Sequence, residues 1–199
     1  RVSPITENIY AGSFYGGLVE LNYTQGLVKH YNPSNSTLGL HLNLMQLDSN
    51  KKACKISGLA FDNYNNLWVS NFGAADPVSV LQTDGTWQSF NYGSLTSGSY
   101  GVGDIIIDDN GYKWVLLTTG KDGILVFDDG GTINDKTDDQ FKILTTGEGN
   151  GDLPSNGVHS IAKDKNGEIW VGTDKGIAVF YAPYLIFSDE NFDAQQIFV

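Results

Sequence analysis

The chain has 199 residues, 40% of them hydrophobic and 18% charged, and this composition excludes an intrinsically disordered protein. Its net charge of −11 argues against nucleic acid as a partner and against plain attraction to an anionic membrane, because both need clustered Lys and Arg. No apolar run approaches the length of a transmembrane helix, and Cys54, the single cysteine, excludes an intramolecular disulfide.

A partial repeat opens the chain. The stretch NIYAGSFYGGLVEL, from Asn8, parallels EIWVGTDKGIAVF, from Glu168, and places Tyr10 where the later copy has Trp. The strand and the Asp that precede the Trp in the later copies are missing here, so the sequence starts inside a repeat. Because it opens on Arg1 without an initiator Met, we also expect a processed or trimmed product.

Three fuller copies follow, and each has a short apolar strand, an Asp, a turn and then Trp-Val. The Asp precedes the Trp by six residues every time, and the equivalent Trp residues of successive copies are 46 and then 56 positions apart. The pairs are Asp62 and Trp68, Asp108 and Trp114, and Asp164 and Trp170. A bulky flat side chain at each equivalent place predicts packing between neighbouring sheets.

Turn residues divide each copy into strands. Asn110-Gly111 and Asn166-Gly167 predict two-residue hairpin turns with positive φ angles, and Asn65-Asn66 can form the same turn less comfortably. The leading Asp is expected to accept hydrogen bonds from turn amides rather than to act as a functional carboxylate. A glycine marks a second hairpin in three of the copies: Gly17, Gly123 and Gly176.

A repeat of about 45 residues with four strands is typical of a β-propeller blade. The sequence therefore predicts an all-β protein with about three and a half four-stranded antiparallel blades in an incomplete ring, a fragment of a larger propeller. The expected units are 1–55 (partial), 56–100, 101–156 and 157–199. Either further blades exist in the parent, or two copies associate through their open blade edges.

Leu153 to Tyr181, LPSNGVHSIAKDKNGEIWVGTDKGIAVFY, resembles the two-component-regulator propeller repeat. The stretches Ile124 to Asn156 and Val179 to Val199 resemble the propeller region of a surface protein of the type IX secretion system. The resemblance extends from about Ile56 onward. It implies a non-enzymatic scaffold at the outer membrane surface or in the periplasm of a Gram-negative bacterium. The implied partners are a sortase or secretion components, or a glycan such as lipopolysaccharide.

Two other functions stay open. One is a periplasmic ligand-sensing propeller of a hybrid two-component histidine kinase, which sequence beyond Val199 would distinguish from the scaffold. The other is a propeller enzyme. A glycosidase needs two carboxylates at a set separation, and no pair stands out here, so we expect no catalysis. The histidines His30, His41 and His159 are too scattered for a metal cluster, and His159 is expected to serve ordinary strand packing.

The best metal candidate is an acidic stretch with glycines that permit tight turns. Its oxygen ligands suit calcium, although their spacing is not that of an EF-hand, and the alternative is a solvated hairpin loop. The candidate ligands are Asp128, Asp129, Asn134, Asp135, Asp138 and Asp139. No other cofactor is expected.

Aromatic residues in the turns after the Tyr10 and Trp68 strands are the best ligand-binding candidates. Phe14, Tyr15 and Phe72 could stack on a sugar, and the alternative is packing between blades. Loops carry function on a rigid scaffold, so binding specificity is also expected in the insertions Thr24 to Lys55, Gly73 to Tyr100 and Asp128 to Asn156.

Overall fold

The structure, a computed structural model, describes residues 1–32, 53–91, 101–119, 122–188 and 190–197. The chain divides into two compact units, Arg1–Ile105 and Ile106–Val199, and each is described by itself. Apart from one short 3-10 helix, Pro183–Leu185, the regular elements in these ranges are β-strands. No helix in the described ranges is long and apolar enough to cross a lipid bilayer.

Two antiparallel meanders make up the first unit, and consecutive strands are neighbours in each of them. Blade 1 has three strands, β1 to β3: Ile9–Ser13, Gly17–Asn22 and Gly26–Tyr31. Blade 2 has four strands, β4 to β7: Ile56–Phe61, Leu67–Asn71, Val78–Leu81 and Trp87–Phe90.

The second unit contains the same architecture. Blade 3 begins in the strand that crosses the unit boundary and consists of β8 to β11: Gly101–Ile107, Lys113–Thr119, Asp122–Asp128 and Gln140–Leu144. Blade 4 consists of β12 to β15: Val158–Lys163, Ile169–Thr173, Gly176–Phe180 and Gln195–Ile197. Neither sheet closes on itself within the described residues.

Four antiparallel meanders of three or four strands confirm the predicted fold, and the chain is a partial β-propeller. One sheet lies within each range predicted for the repeats, 1–55, 56–100, 101–156 and 157–199. As domain boundaries those ranges stay a prediction, and so does association of two copies through open edges.

The first hairpin turn of the repeat differs from the prediction. In blade 3 the amide of Gly111 donates to the carbonyl of Asp108 at 3.1 Å, and the amide of Asp108 donates to the carbonyl of Tyr112 at 3.0 Å. The loop between Asp108 and Tyr112 therefore has three residues. Gly111 has a φ of 86°, whereas Asn110 has no positive φ, so the two-residue Asn-Gly turn is wrong.

The Asp side chain explains the longer loop. Oδ1 of Asp108 accepts hydrogen bonds from the amides of Asn110 and Tyr112 at 2.8 and 3.0 Å. These bonds hold the chain in a turn that starts at the Asp. The residue with the left-handed conformation is then the third one after the Asp. Asn65 and Gly167 occupy that position in blades 2 and 4, with φ angles of 65° and 84°. The predicted capping role of the three aspartates is confirmed.

The second hairpin confirms the need for glycine. Gly17 has a φ of 82°, and a Cβ on it would lie 2.3 Å from the carbonyl oxygen of Tyr31. Gly123 has a φ of 114°, and a Cβ there would lie 2.3 Å from the carbonyl oxygen of Leu144. Any side chain would therefore both strain the backbone and displace the third strand of blade 1 or the fourth strand of blade 3.

Aromatic residues pack between blades inside each unit. In the second unit Trp114 of blade 3 is fully buried and contacts Phe180 of blade 4, with ring centroids 5.2 Å apart. In the first unit Tyr10 of blade 1 contacts Phe61 of blade 2 at 5.6 Å. Trp170, the equivalent residue of blade 4, remains 36% exposed, so the described residues cover it only in part.

Candidate functional site

The predicted aromatic residues meet at one edge of the first unit. Phe14 and Tyr15 follow strand β1, and Phe72 follows strand β5. The Phe14 ring lies 5.4 Å from the Tyr15 ring and 5.5 Å from the Phe72 ring, measured between centroids. Phe14 and Tyr15 are 45% and 61% exposed, while Phe72 is half-buried. The structure therefore joins two loops from different blades into one partly exposed aromatic surface.

Lys55 lies at the centre of these rings. Its Nζ is 5.4 Å from the Phe14 centroid, 5.3 Å from that of Tyr15 and 5.7 Å from that of Phe72. Its backbone is fixed as well, because the amide of Phe72 donates to the Lys55 carbonyl at 2.8 Å. We call Phe14, Tyr15, Lys55 and Phe72 the Lys55 cluster. Rings around an ammonium group combine cation–π attraction with stacking surface.

The sequence did not single out Lys55. It is one basic residue before an apolar strand, and nothing in the repeat marks it. Its place among the rings depends on the packing of blade 2 beside blade 1. Both interpretations of the aromatic residues, stacking on a sugar and packing between blades, are compatible with this geometry. Phe14 contacts Phe72 across the two blades, and Phe14 and Tyr15 keep exposed faces.

The turn at this site is held by hydrogen bonds. Ser13 Oγ accepts from the amides of Tyr15 and Gly16, at 3.4 and 3.0 Å. The imidazole Nε2 of His30 contacts the carbonyl oxygen of Gly16, and Gly16 bridges to Cys54. The backbone that presents Phe14 and Tyr15 is thus tied to strand β3 and to the residue before Lys55.

The six predicted calcium ligands lie at the end of β10 and in the loop before β11. Asp129 is buried, and its Oδ1 pairs with Lys113 Nζ at 2.7 Å. Asp128 Oδ1 accepts from the Gly130 amide, Asp135 Oδ1 from Thr137 and Asp138 Oδ2 from Thr132. Asn134 is exposed.

Among the described residues no group of three or more His, Cys, Asp or Glu is arranged to hold a metal ion. Asp139 is the member with an unusual environment, because its Oδ1 is buried without a hydrogen-bond partner. Burial, and then the charges of Asp129 and Asp138, raise the pKa of Asp139 to about 6. Calcium binding by this loop stays a prediction.

The histidines do not form a common site in the described parts of the chain. His159 Nε2 lies 2.5 Å from Asp174 Oδ1, and both side chains are exposed, so the expectation of ordinary strand packing is wrong for His159. His41 lies outside the described residues, as do parts of two predicted insertions, residues 33–52 and 92–100.

Comparisons with known proteins identify the repeat. A family profile described as the two component regulator propeller matches residues 152–175. No curated protein matches the chain.

Solved structures with the same fold include PorZ, an essential bacterial surface component of the type-IX secretion system of Porphyromonas gingivalis. The likeness covers 100% of this chain and 28% of PorZ, with 24% identity and a TM-score of 0.78. The extracellular domain of a hybrid two component system from B. thetaiotaomicron matches 98% of this chain over 28% of its own, with 20% identity and a TM-score of 0.52. Virginiamycin B lyase from Staphylococcus aureus matches 100% of this chain over 54% of its own, with 12% identity and a TM-score of 0.60.

This chain spans 28% of the length of the first two structures. At such low identities the likeness shows the fold alone, and a lyase shares that fold. The predicted similarity to two-component-regulator propellers and to PorZ is confirmed.

Proposed function

We propose that this partial β-propeller, with its two component regulator repeat, is a non-enzymatic binding and scaffold module of a bacterial surface protein associated with type IX secretion. The likeness to PorZ supports this assignment. It also supports a place at the outer membrane surface or in the periplasm of a Gram-negative bacterium. The observation that carries the binding role is the Lys55 cluster, which presents exposed rings around a cation.

The chemistry of the Lys55 cluster suits an anionic glycan such as lipopolysaccharide. Aromatic faces stack on the apolar faces of sugar rings, and an ammonium group pairs with a phosphate or carboxylate of the glycan. The net charge of −11 opposes long-range attraction of such a ligand. Short-range contacts to Lys55 and its rings therefore have to supply the affinity. A sortase or other secretion components are the protein partners that this scaffold would bring to the glycan.

The experiment compares two tyrosines on immobilised lipopolysaccharide that carries an anionic polysaccharide. Tyr15→Ala is expected to weaken binding about fivefold or more, since one stacking contact contributes about 1 kcal/mol. Tyr23→Ala is the matched control, because Tyr23 is 95% exposed on the same unit and lies outside the cluster. Equal affinities for the two variants would contradict the proposal.

The second candidate is a ligand-sensing propeller of a hybrid two-component histidine kinase. The repeat at residues 152–175 and the likeness to an extracellular two component domain favour it. A sensor would bind short oligosaccharides released from a glycan, whereas a surface scaffold would bind the intact polymer. Competition of the polymer with its own oligosaccharides on the same immobilised protein separates the two functions.

A further inference from the structure

Blade 1 departs from the other blades at one pair of facing side chains. In blades 2, 3 and 4 the repeat Trp lies opposite a Val on the next strand: Trp68 and Val80, Trp114 and Val126, and Trp170 and Val179. In blade 1 the same register pairs Tyr10 with Glu20. A phenol and a carboxylate therefore replace the apolar pair on the face that packs against the next blade.

A cleft of about 620 Å³ opens at this place in the first unit. Its walls include Tyr10, Glu20 and Tyr31 of blade 1 and Phe61, Leu67 and Leu81 of blade 2. Glu20 is the one charged side chain among its described lining residues. This volume suits a small molecule or a single amino-acid side chain. None of the four residues of the Lys55 cluster lines it.

Glu20 is 9% exposed, and three donors hold its carboxylate in place. The Tyr31 hydroxyl donates to Oε2 at 2.8 Å, and Asn8 Nδ2 donates to Oε1 at 2.7 Å. The Tyr10 hydroxyl is also a partner. Burial alone would raise the pKa of Glu20, but the hydrogen bonds from Tyr31, Asn8 and Tyr10, and the nearby charge of Lys29, lower it below its ordinary value. Glu20 is therefore ionised at neutral pH, and its charge neighbour Lys29 is not among the described residues that line the cleft.

We propose that this cleft binds a protonated primary amine. The ammonium group would pair with Glu20, and its carbon chain or ring would lie against the Tyr10 and Phe61 rings, which contact each other and line the cleft. Rings beside an anion attract organic cations through charge and cation–π contacts. Glu20, the one charged side chain among the described lining residues, disfavours an anionic ligand in this cleft.

Two sources could supply the amine, an amino sugar or a lysine side chain of a partner. The test measures binding of D-glucosamine and of Nα-acetyl-lysine amide to the full chain by titration calorimetry, with N-acetylglucosamine as the uncharged match. We expect at least one of the two amines to bind and N-acetylglucosamine not to bind. The amine that binds more tightly identifies the source of the ligand. Failure of both amines, or equal binding of N-acetylglucosamine, overturns the proposal.

Glu20→Gln keeps the size of the side chain and removes its charge, and it is expected to weaken amine binding about tenfold or more. Glu7→Gln makes the same charge change at an exposed position of the same unit and leaves the affinity unaltered. If Glu20→Gln fails to fold, nuclear magnetic resonance of the wild-type protein with the bound amine still shows where the ligand lies. Nuclear Overhauser contacts from the ligand to the Tyr10 and Phe61 rings support the cleft, and contacts elsewhere overturn it.

Discussion

The indole N–H of Trp114 donates a 3.0 Å hydrogen bond to Oδ2 of Asp108, and both side chains are buried. The other oxygen of the same carboxylate accepts two turn amides, so one Asp fixes both the hairpin turn and the ring that packs on the next blade. The same bond measures 3.0 Å in blade 2 and 3.3 Å in blade 4. This is the physical reason for the constant six-residue spacing.

Removing the carboxylate of Asp108 should destabilise the second unit. Asp108→Ala leaves the Trp114 indole and two amides without their acceptor, and we expect a loss of about 1–3 kcal/mol of unfolding free energy. Asp109→Ala is the matched control, because Asp109 forms an exposed 2.5 Å pair with Lys163. Such pairs contribute less than about 1 kcal/mol. Urea unfolding followed by tryptophan fluorescence measures both, and equal losses would refute the assigned role of Asp108.

The two tryptophans of the second unit should differ in their contribution to stability. Trp114→Ala removes a fully buried ring from contact with Phe180, and we expect it to cost about 3–5 kcal/mol. Trp170→Ala should cost clearly less, because Trp170 is 36% exposed and thus only partly covered by the described residues. Chemical denaturation of the two variants compares them directly. A larger loss for Trp170→Ala would mean that this ring is covered in solution.

Acidification should stabilise the fold at the acidic loop, which we define as residues 128–139. The pKa of Asp139 is raised to about 6 in the folded chain, so Asp139 binds its proton more tightly when folded. Its contribution to stability is fully present below its ordinary pKa of 3.8 and is lost as the pH rises through 6. Asp139→Asn should therefore raise the melting temperature at pH 7 and change it little at pH 4.

The control for the acidic loop is Asp135→Asn. Hydrogen bonds from Thr137 lower the pKa of Asp135, so its charged form is the stabilising one. This variant should slightly lower the melting temperature at pH 7. Two results would show that the burial of Asp139 is assigned wrongly. One is a higher melting temperature for Asp135→Asn, and the other is an unchanged melting temperature at pH 7 for Asp139→Asn.

Cys54 should react with alkylating reagents only after unfolding. It is 1% exposed, and burial raises the pKa of its thiol to about 12, although a hydrogen bond from Asn71 acts in the opposite direction. The thiolate fraction near pH 8 is then about a thousandfold below that of an ordinary cysteine. Iodoacetamide labelling followed by mass spectrometry, with and without urea, measures this difference. Rapid labelling of the native protein would contradict the described packing around Cys54.

The sequence alone predicts the features that repeat, such as the Asp and Trp of each copy, because their spacing can be read along the chain. The Asn110-Gly111 turn was predicted wrongly because the hydrogen bonds of Asp108, and not the local dipeptide, decide the loop length. Lys55 and Glu20 could not be assigned from the sequence. Their surroundings come from strand register and from the packing of blade 2 beside blade 1.

The acidic loop shows the same limit. Its carboxylates indicate a metal site when only their positions in the sequence are considered. In the structure one of them, Asp129, is a buried partner of Lys113, a residue 16 positions earlier in the sequence. Long-range pairing of this kind follows from the register of β9 and β10, and no local pattern records it.

The most direct measurement of the proposed binding role is the affinity of Lys55→Gln for lipopolysaccharide with an anionic polysaccharide. Lys165→Gln serves as the matched control, because it makes the same charge change at an exposed position of the other unit. We predict that Lys55→Gln weakens binding about tenfold or more and that Lys165→Gln leaves it unchanged. Unaltered binding by Lys55→Gln, or an equal loss in both variants, would contradict a binding site at the Lys55 cluster.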